Sequence, residues 1–264
     1  MRNIDNTFAG SFRLQQRVIG ALLMREIVTR YGRDNLGFLW LFVEPMLFTL
    51  GVTALWITAG LSHGSTLPVV AFALTGYSSV LLWRNCATRA SMAIPPNLGL
   101  LYHRNVRVLD LFAARILLEI AGATMSFVLL AAFWISLGWM ELPNDIAMVI
   151  AGWLFLSWFG AALALLVGAL TAYSEIAERL WQPMAYMLFP LSGAAFMLEW
   201  MPSGMRKLLL WIPMVHGVEM LREGYFGTVV RTHYDTGYLF TVCAVTTLLG
   251  LALVRGAGRR VQVQ

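Results

Sequence analysis

His216, Glu219 and Glu223, in the stretch HGVEMLRE (216–223), fall at i, i+3 and i+7. On a helix that spacing puts an imidazole and two carboxylates on one face, a donor set for a divalent metal or a proton shuttle. A helical zinc site of the H-E-x-x-H kind has two histidines one turn apart and a carboxylate as base. Here there is one histidine, and Arg222 stands beside Glu223. A Ser192–His216 pair would suit an intramembrane hydrolase, yet no recognisable nucleophile motif surrounds either residue. The competing reading is a short helix whose polar face meets water or its neighbour. On that reading no metal and no catalytic residue is expected here.

The elements that must position these residues are membrane helices. Of the 264 residues, 59% are hydrophobic and 12% charged, whereas a soluble domain carries about 25% charged residues. A lipid solvent accounts for the difference. The net charge of +5 comes from 18 Arg and the single Lys207. The arginines cluster between apolar runs, which points to membrane topology and anionic headgroups and not to nucleic acid. Cys86 and Cys243 are lone thiols in apolar context and build no metal site or disulfide framework. Residues 1–11 are polar, no cleavable signal peptide is expected, and the spans would direct insertion.

A helix needs about 20 apolar residues to cross the bilayer core. Residues 36–60, 67–83, 109–138, 146–173, 180–198 and 238–254 meet that need. The third is longer than necessary, and its first turns, with Asp110, Arg115 and Glu119, are expected in the interface, Arg115 and Glu119 partly neutralising each other at i, i+4. With both termini inside, fifteen basic residues lie on the inner side and four on the outer, the bias that sets orientation. In 12–34, Phe12, Val18, Ile19, Leu22 and Leu23 share one helical side. Met24, Ile27, Val28 and Tyr31 share another, so an amphipathic interface helix is expected, bending near 23–24. In the inner loop 84–107, Pro95-Pro96 ends what precedes it, and Asn97 can cap a short helix through Leu98, Gly99, Leu100, Leu101 and Tyr102. Such an apolar helix either dips into headgroups or docks on another protein. In the outer segment 205–230 the apolar pieces are too short to span and Pro213 separates them, which fits a re-entrant pair. The expected fold is therefore one all-α membrane domain over 1–264. It has six transmembrane helices, an N-terminal amphipathic interface helix and an outer re-entrant helix pair before the last span.

No nucleotide-binding loop is possible. Such a loop needs Gly-Lys-Ser/Thr, and Lys207 follows Arg206 and precedes Leu208. If the chain works with ATP, the ATPase is another subunit. Glu44-Pro45 lies in the first span. A carboxylate at the centre of a span costs about 2.5–3.5 kcal/mol, so Glu44 either faces a wet path or sits shallow and snorkels. Trp40, Trp153, Trp158 and Trp181 are deep enough either to line a glycan path or simply to pack. Gly160, Ala164 and Gly168 form a small-residue stripe for close helix packing, in cis or in trans.

The stretch LLMREIVTRYGRDNLGFLWLFVEP (22–45) resembles the entry signature of the polysaccharide permeases of type-2 ABC exporters. WIPMVHGVEMLREGYF (211–226) resembles their outer re-entrant segment, and ARILLE (114–119) the start of their third span. The chain is most similar to the KpsM-like permeases of capsular polysaccharide export, over essentially its whole length. The resemblance implies a non-enzymatic permease subunit of the bacterial inner membrane, acting as a homodimer. It would carry two ATPase subunits that hold ATP and Mg, with no cofactor in this chain. It implies ATPase coupling through Asn97, Leu98, Gly99, Leu100, Leu101 and Tyr102 in the loop 95–104, joined by Arg25, Arg30 and Tyr31. Candidates for the translocation path are Trp40, Glu44, Arg84, Arg89, Arg115, Trp158 and Trp181. His216, Glu219, Arg222 and Glu223 would stand at the re-entrant outer mouth, polar because they border water. The implied cargo is a lipid-linked anionic polysaccharide, passed to periplasmic-spanning and outer-membrane export proteins. O-antigen or teichoic acid export is the alternative within the class, and an intramembrane hydrolase the alternative outside it.

Overall fold

The structure, a computed structural model, describes residues 8–31, 39–58, 67–101 and 106–261. The described chain is all-helical: α1 Phe8–Tyr31, α2 Trp40–Thr58, α3 Val69–Ser91, α4 Leu98–Leu101, α5 Val108–Ser136, α6 Ile146–Tyr173, α7 Glu175–Leu191, α8 Ser203–Leu209, α9 Pro213–Phe226 and α10 Thr236–Val261. Single 3-10 turns at Pro95–Asn97, Leu198–Trp200 and Gly227–Val229 join some of them. Three of these helices are long and apolar enough to cross a membrane: Val108–Ser136, Ile146–Tyr173 and Thr236–Gly258. A shorter apolar stretch runs over Val43–Thr58 in α2.

Local chemistry sets the boundaries. Asp145 caps α6, its Oδ1 accepting from Met148 N at 3.0 Å, and Ser174 separates α6 from α7, its Oγ accepting from Ile176 N at 3.2 Å. These are ordinary N-caps, satisfying amides that the first turn leaves free. Pro213 opens α9 at a position where the missing N–H costs nothing.

α6 is the hub and packs on α3, α10 and α9. The stripe of small residues on α6 makes its contacts within this chain. A Cβ at Gly160 would lie 3.0 Å from Trp83 Cα, and one at Gly168 would lie 2.7 Å from the Phe112 ring. α9 meets the N-terminal half of α6, where Gly152 lies against Leu221, and the ends of α3 and α5 meet its C-terminal half. The bundle thus has an α9 end and an α4 end. Val128, Leu154 and Leu248 on α5, α6 and α10 are exposed, as leucine-rich faces are when the solvent is hydrocarbon.

α1 runs without interruption from Phe8 to Tyr31. Its first apolar face is covered: Leu22 is buried, and Val18, Ile19 and Leu23 pack with it against Leu111 and Ala114 of α5 and Leu100 and Leu101 of α4. On the second face Met24 and Val28 are exposed.

Candidate functional site

At the α9 end three of the four polar residues of HGVEMLRE are buried, Arg222 wholly and His216 and Glu219 nearly so, while Glu223 is half-buried. Glu219 and Arg222 turn away from water, whereas His216 also lines an open cavity with Trp211, Asp235 and Tyr238. His216, Glu219 and Arg222 bind backbone groups of the neighbouring loops, and Glu223 binds a side chain. His216 Nδ1 accepts from Asp235 N at 2.9 Å and its Nε2 lies 2.8 Å from Leu210 O. An acceptor at Nδ1 and a donor at Nε2 define the neutral Nε2–H tautomer, and burial lowers the pKa of the ring. Glu219 accepts from Leu198 N and His233 N, both at 3.1 Å, while burial raises its pKa. Arg222 donates to Gly193 O, Phe196 O and Ala194 O at 2.7, 2.6 and 2.6 Å. Its guanidinium carbon stands 3.7 Å from the centre of the Phe72 ring, and burial brings its pKa down to about 9. Glu223 accepts from Thr232 Oγ1 at 2.6 Å.

α9 is therefore a fastening strip for residues 193–198, 210 and 232–235. It offers no catalytic geometry at His216, because both ring nitrogens are engaged by backbone groups. Ser192 Oγ donates to Phe189 O at 2.6 Å. Among the described residues no group of three or more His, Cys, Asp and Glu is placed to hold a metal ion. Next to the strip, Glu199 accepts from His233 Nε2 at 2.6 Å and pairs with Arg206 at 3.2 Å. The His233 bond first, and then Arg206, hold the Glu199 carboxyl below its usual pKa. This cluster was not anticipated, since its members come from three separate segments.

At the α4 end the interface helix is tied to two neighbours. Arg25 Nη1 donates to Asn97 Oδ1, and Gln15 Nε2 to Asp110 Oδ1. Asn97 Nδ2 reaches back to Ala93 O at 2.8 Å, so this side chain binds the loop before α4. Leu98 is exposed, while Leu100 and Leu101 lie on the covered face of α1. Arg30 and Tyr31 close the last turn of α1, and Tyr102 lies outside the described residues.

The charged candidates of the span region form a chain of contacts. Arg115 Nε pairs with Glu26 of α1 at 2.9 Å and Arg115 Nη1 donates to Arg89 O at 2.8 Å. Arg89 approaches Glu119 at 3.8 Å and Glu44 at 3.5 Å. Glu44 is more than half exposed. Trp181 is buried and donates to Thr88 Oγ1 at 3.1 Å, close to Arg84. Trp158 stands elsewhere, between α6 and α10, donating to Thr247 Oγ1 at 3.1 Å, and Trp40 is exposed at the start of α2. Glu26, Gln15 and Asp110 complete this region. The i, i+4 arithmetic that paired Arg115 with Glu119 has no means of finding Glu26 on another helix.

These features describe an all-α membrane protein with a fixed α9 end and a charge-laced α4 end. The chain belongs to the ABC-2 type transporter family, which residues 17–226 match; the family comprises membrane components of transporters. Over 258 residues it is 45% identical to the capsule polysaccharide export inner-membrane protein CtrC of Neisseria meningitidis serogroup B, covering 98% of this chain and 97% of that protein. It is 42% identical over 260 residues to the capsule polysaccharide export inner-membrane protein BexB of Haemophilus influenzae, covering 98% of both. The polysialic acid transport protein KpsM of Escherichia coli is 29% identical over 251 residues, 92% of this chain and 95% of its own.

Proposed function

We infer that this chain is the membrane subunit of an ATP-driven exporter that moves capsular polysaccharide across the bacterial inner membrane. The observation that carries the reading is its 42–45% identity to capsule export inner-membrane proteins over nearly the full length of both partners. The chain has no nucleotide-binding loop of its own, so the fuel is consumed by a partner ATPase holding ATP and Mg.

In this reading six spans at 36–60, 67–83, 109–138, 146–173, 180–198 and 238–254 cross the membrane with both termini in the cytosol. The working unit is a homodimer carrying two ATPase subunits. The α8–α9 pair is a re-entrant segment at the outer mouth. The cargo is a lipid-linked anionic glycan, passed on to periplasmic-spanning and outer-membrane export proteins. The exposed Leu98 of α4 and the exposed Met24–Val28 face of α1 receive the ATPase. Closure of the ATPase pair pushes α1 and α4 together, because Arg25 holds Asn97. Glu26–Arg115 and Gln15–Asp110 carry that push into α5, and Arg115 to Arg89 O carries it into α3.

The test is deletion and complementation in the native host, with polysaccharide assayed at the surface and inside the cell. Polysaccharide is expected to accumulate inside when the chain is absent. Wild-type surface polysaccharide without the chain would overturn the reading, as would turnover by the chain reconstituted alone.

A further inference from the structure

Arg84 stands apart from the other cations at its end of the bundle. Arg89 is answered by Glu44 and Glu119, and Arg115 by Glu26. Among the described residues no carboxylate pairs with Arg84. Its guanidinium lies between two aromatic rings, 5.8 Å from the centre of Phe48 and 5.9 Å from that of Tyr186. Beside it, between α3 and α7, opens a cavity of about 120 Å3 walled by Arg84, Asn85, Arg89, Gln182 and Tyr186 among others, Arg89 bringing its own carboxylate partners. The Asn85 and Gln182 amides and the Tyr186 hydroxyl make no hydrogen bond to another described group, so their donors are available to the cavity.

A half-buried cation between membrane helices is costly unless something neutralises it. The ring faces attract the cation weakly and use none of its N–H groups. Those N–H groups form a fork that matches a carboxylate or a phosphate. Neutral amide and hydroxyl donors around the same space complete a set that suits an acceptor-rich anion.

We propose that this cleft is a subsite for one acidic group, a carboxylate or phosphate ester, carried by the exported glycan or by its lipid anchor. The inference rests on the exporter reading above. The cavity is far smaller than the ~300–1,000 Å3 of sites that enclose a whole ligand, so it takes the acidic group and leaves the rest of the molecule outside. Arg84 lies seven residues before the end of α3, roughly 10 Å along the helix at about 1.5 Å per residue. The subsite is therefore reached early on a path from the α4 end. A chain in transit needs sites favourable enough to enter and weak enough to leave, and one cation without a carboxylate partner, beside neutral donors and the already paired Arg89, meets both needs.

The test uses the complex with its ATPase subunits in nanodiscs of zwitterionic lipid. Binding of tetragalacturonate, with maltotetraose as the neutral control, is measured by thermophoresis. Uptake of phosphatidylglycerol is measured by native mass spectrometry. Arg84→Gln is expected to weaken an acidic probe about tenfold or more, Arg84→Lys to weaken it less, and Arg179→Gln on the exposed end of α7 to leave it unchanged. Loss confined to tetragalacturonate assigns the subsite to the glycan, loss confined to phosphatidylglycerol assigns it to the lipid phosphate, and loss of neither overturns it. If Arg84→Gln fails to assemble, Asn85→Ala with Gln182→Ala decides: weakening of about threefold supports the subsite and unchanged binding overturns it. Equal binding by wild type and variant removes the subsite and leaves the exporter reading intact, whereas failure of the deletion test removes both.

Discussion

Arg222→Met tests the claim that α9 is a fastening strip. The substitution keeps length and removes the guanidinium from a site with no measurable exposure. Three backbone carbonyls, Gly193, Ala194 and Phe196, lose donors at 2.6–2.7 Å. A buried acceptor left unpaired costs about 1–3 kcal/mol, and the lost contact with the Phe72 ring adds up to about 2 kcal/mol. Relief of the buried charge offsets part of this, since taking an ion out of water costs several kcal/mol. The net expectation is about 3–5 kcal/mol, in the range found when one partner of a buried charged network is removed. In a chain of this size about 1 kcal/mol moves Tm by roughly 2–4 °C, so Tm should fall by roughly 10 °C. The assay is the thermal stability of the detergent-solubilised chain, followed by size exclusion, with hydrogen exchange read over 193–198. Arg222→Lys should fall between the two, because one ammonium cannot serve three carbonyls as the planar fork does. A Tm for Arg222→Met within about 2 °C of wild type would refute the reasoning, since that is less than about 1 kcal/mol.

Three further outcomes follow from the same geometry. Gly76→Ala should destabilise although alanine is the better helix former by about 1 kcal/mol: the new Cβ would sit 2.3 Å from Ala194 O and 2.7 Å from Arg222 Nη2, and a thermal melt of the variant gives the sign. His216 has its pKa lowered by burial, so the unfolded chain binds its proton first as pH falls through about 6.5, and stability drops there and is retained above it. Protonation also places an N–H at Nδ1 against the Asp235 amide, so exchange over 233–236 should quicken at pH 5 relative to pH 7 after correction for intrinsic rates; unchanged protection would contradict this. Glu26→Gln and Arg115→Gln should each cost about 1–3 kcal/mol, and a double-mutant cycle on Tm should show coupling of at least about 0.5 kcal/mol, with additivity refuting the Glu26–Arg115 interaction.

The helical membrane architecture was legible because hydrocarbon leaves few alternatives: long apolar runs must be helices, and 109–138, 146–173 and 238–254 read as such. The small-residue stripe on α6 was legible as a packing surface, but only the fold places Trp83 and Phe112 against it. HGVEMLRE was legible as unusual. Its role was not, because its partners are backbone amides and carbonyls at 193–198, 210 and 233–235, and backbone groups leave no trace in a sequence. Asn85, Gln182 and Tyr186 passed unnoticed for a related reason. Each is one polar residue in a helix, and only the packing of α7 on α3 converges them beside Arg84.

The two ends of the bundle are held by bonds of different strength, and this difference bears on mechanism. At the α9 end the bonds of His216, Glu219 and Arg222 run from buried side chains to backbone, so opening any one strands a partner at a cost of about 1–3 kcal/mol. At the α4 end the Arg89–Glu44 pair spans 3.5 Å with the side chains 38% and 58% exposed. Pairs of that kind are worth about 0–1 kcal/mol and exchange readily with water. A push delivered at α1 and α4 would therefore be taken up by rearrangement of these pairs around α3, before any bond of the α9 strip gives way. The consequence can be measured without a cargo. Nucleotide added to the assembled complex should change hydrogen exchange at 84–101 and 107–119 while 193–198 and 213–226 keep their protection, and the reverse pattern would place the moving part at the other end.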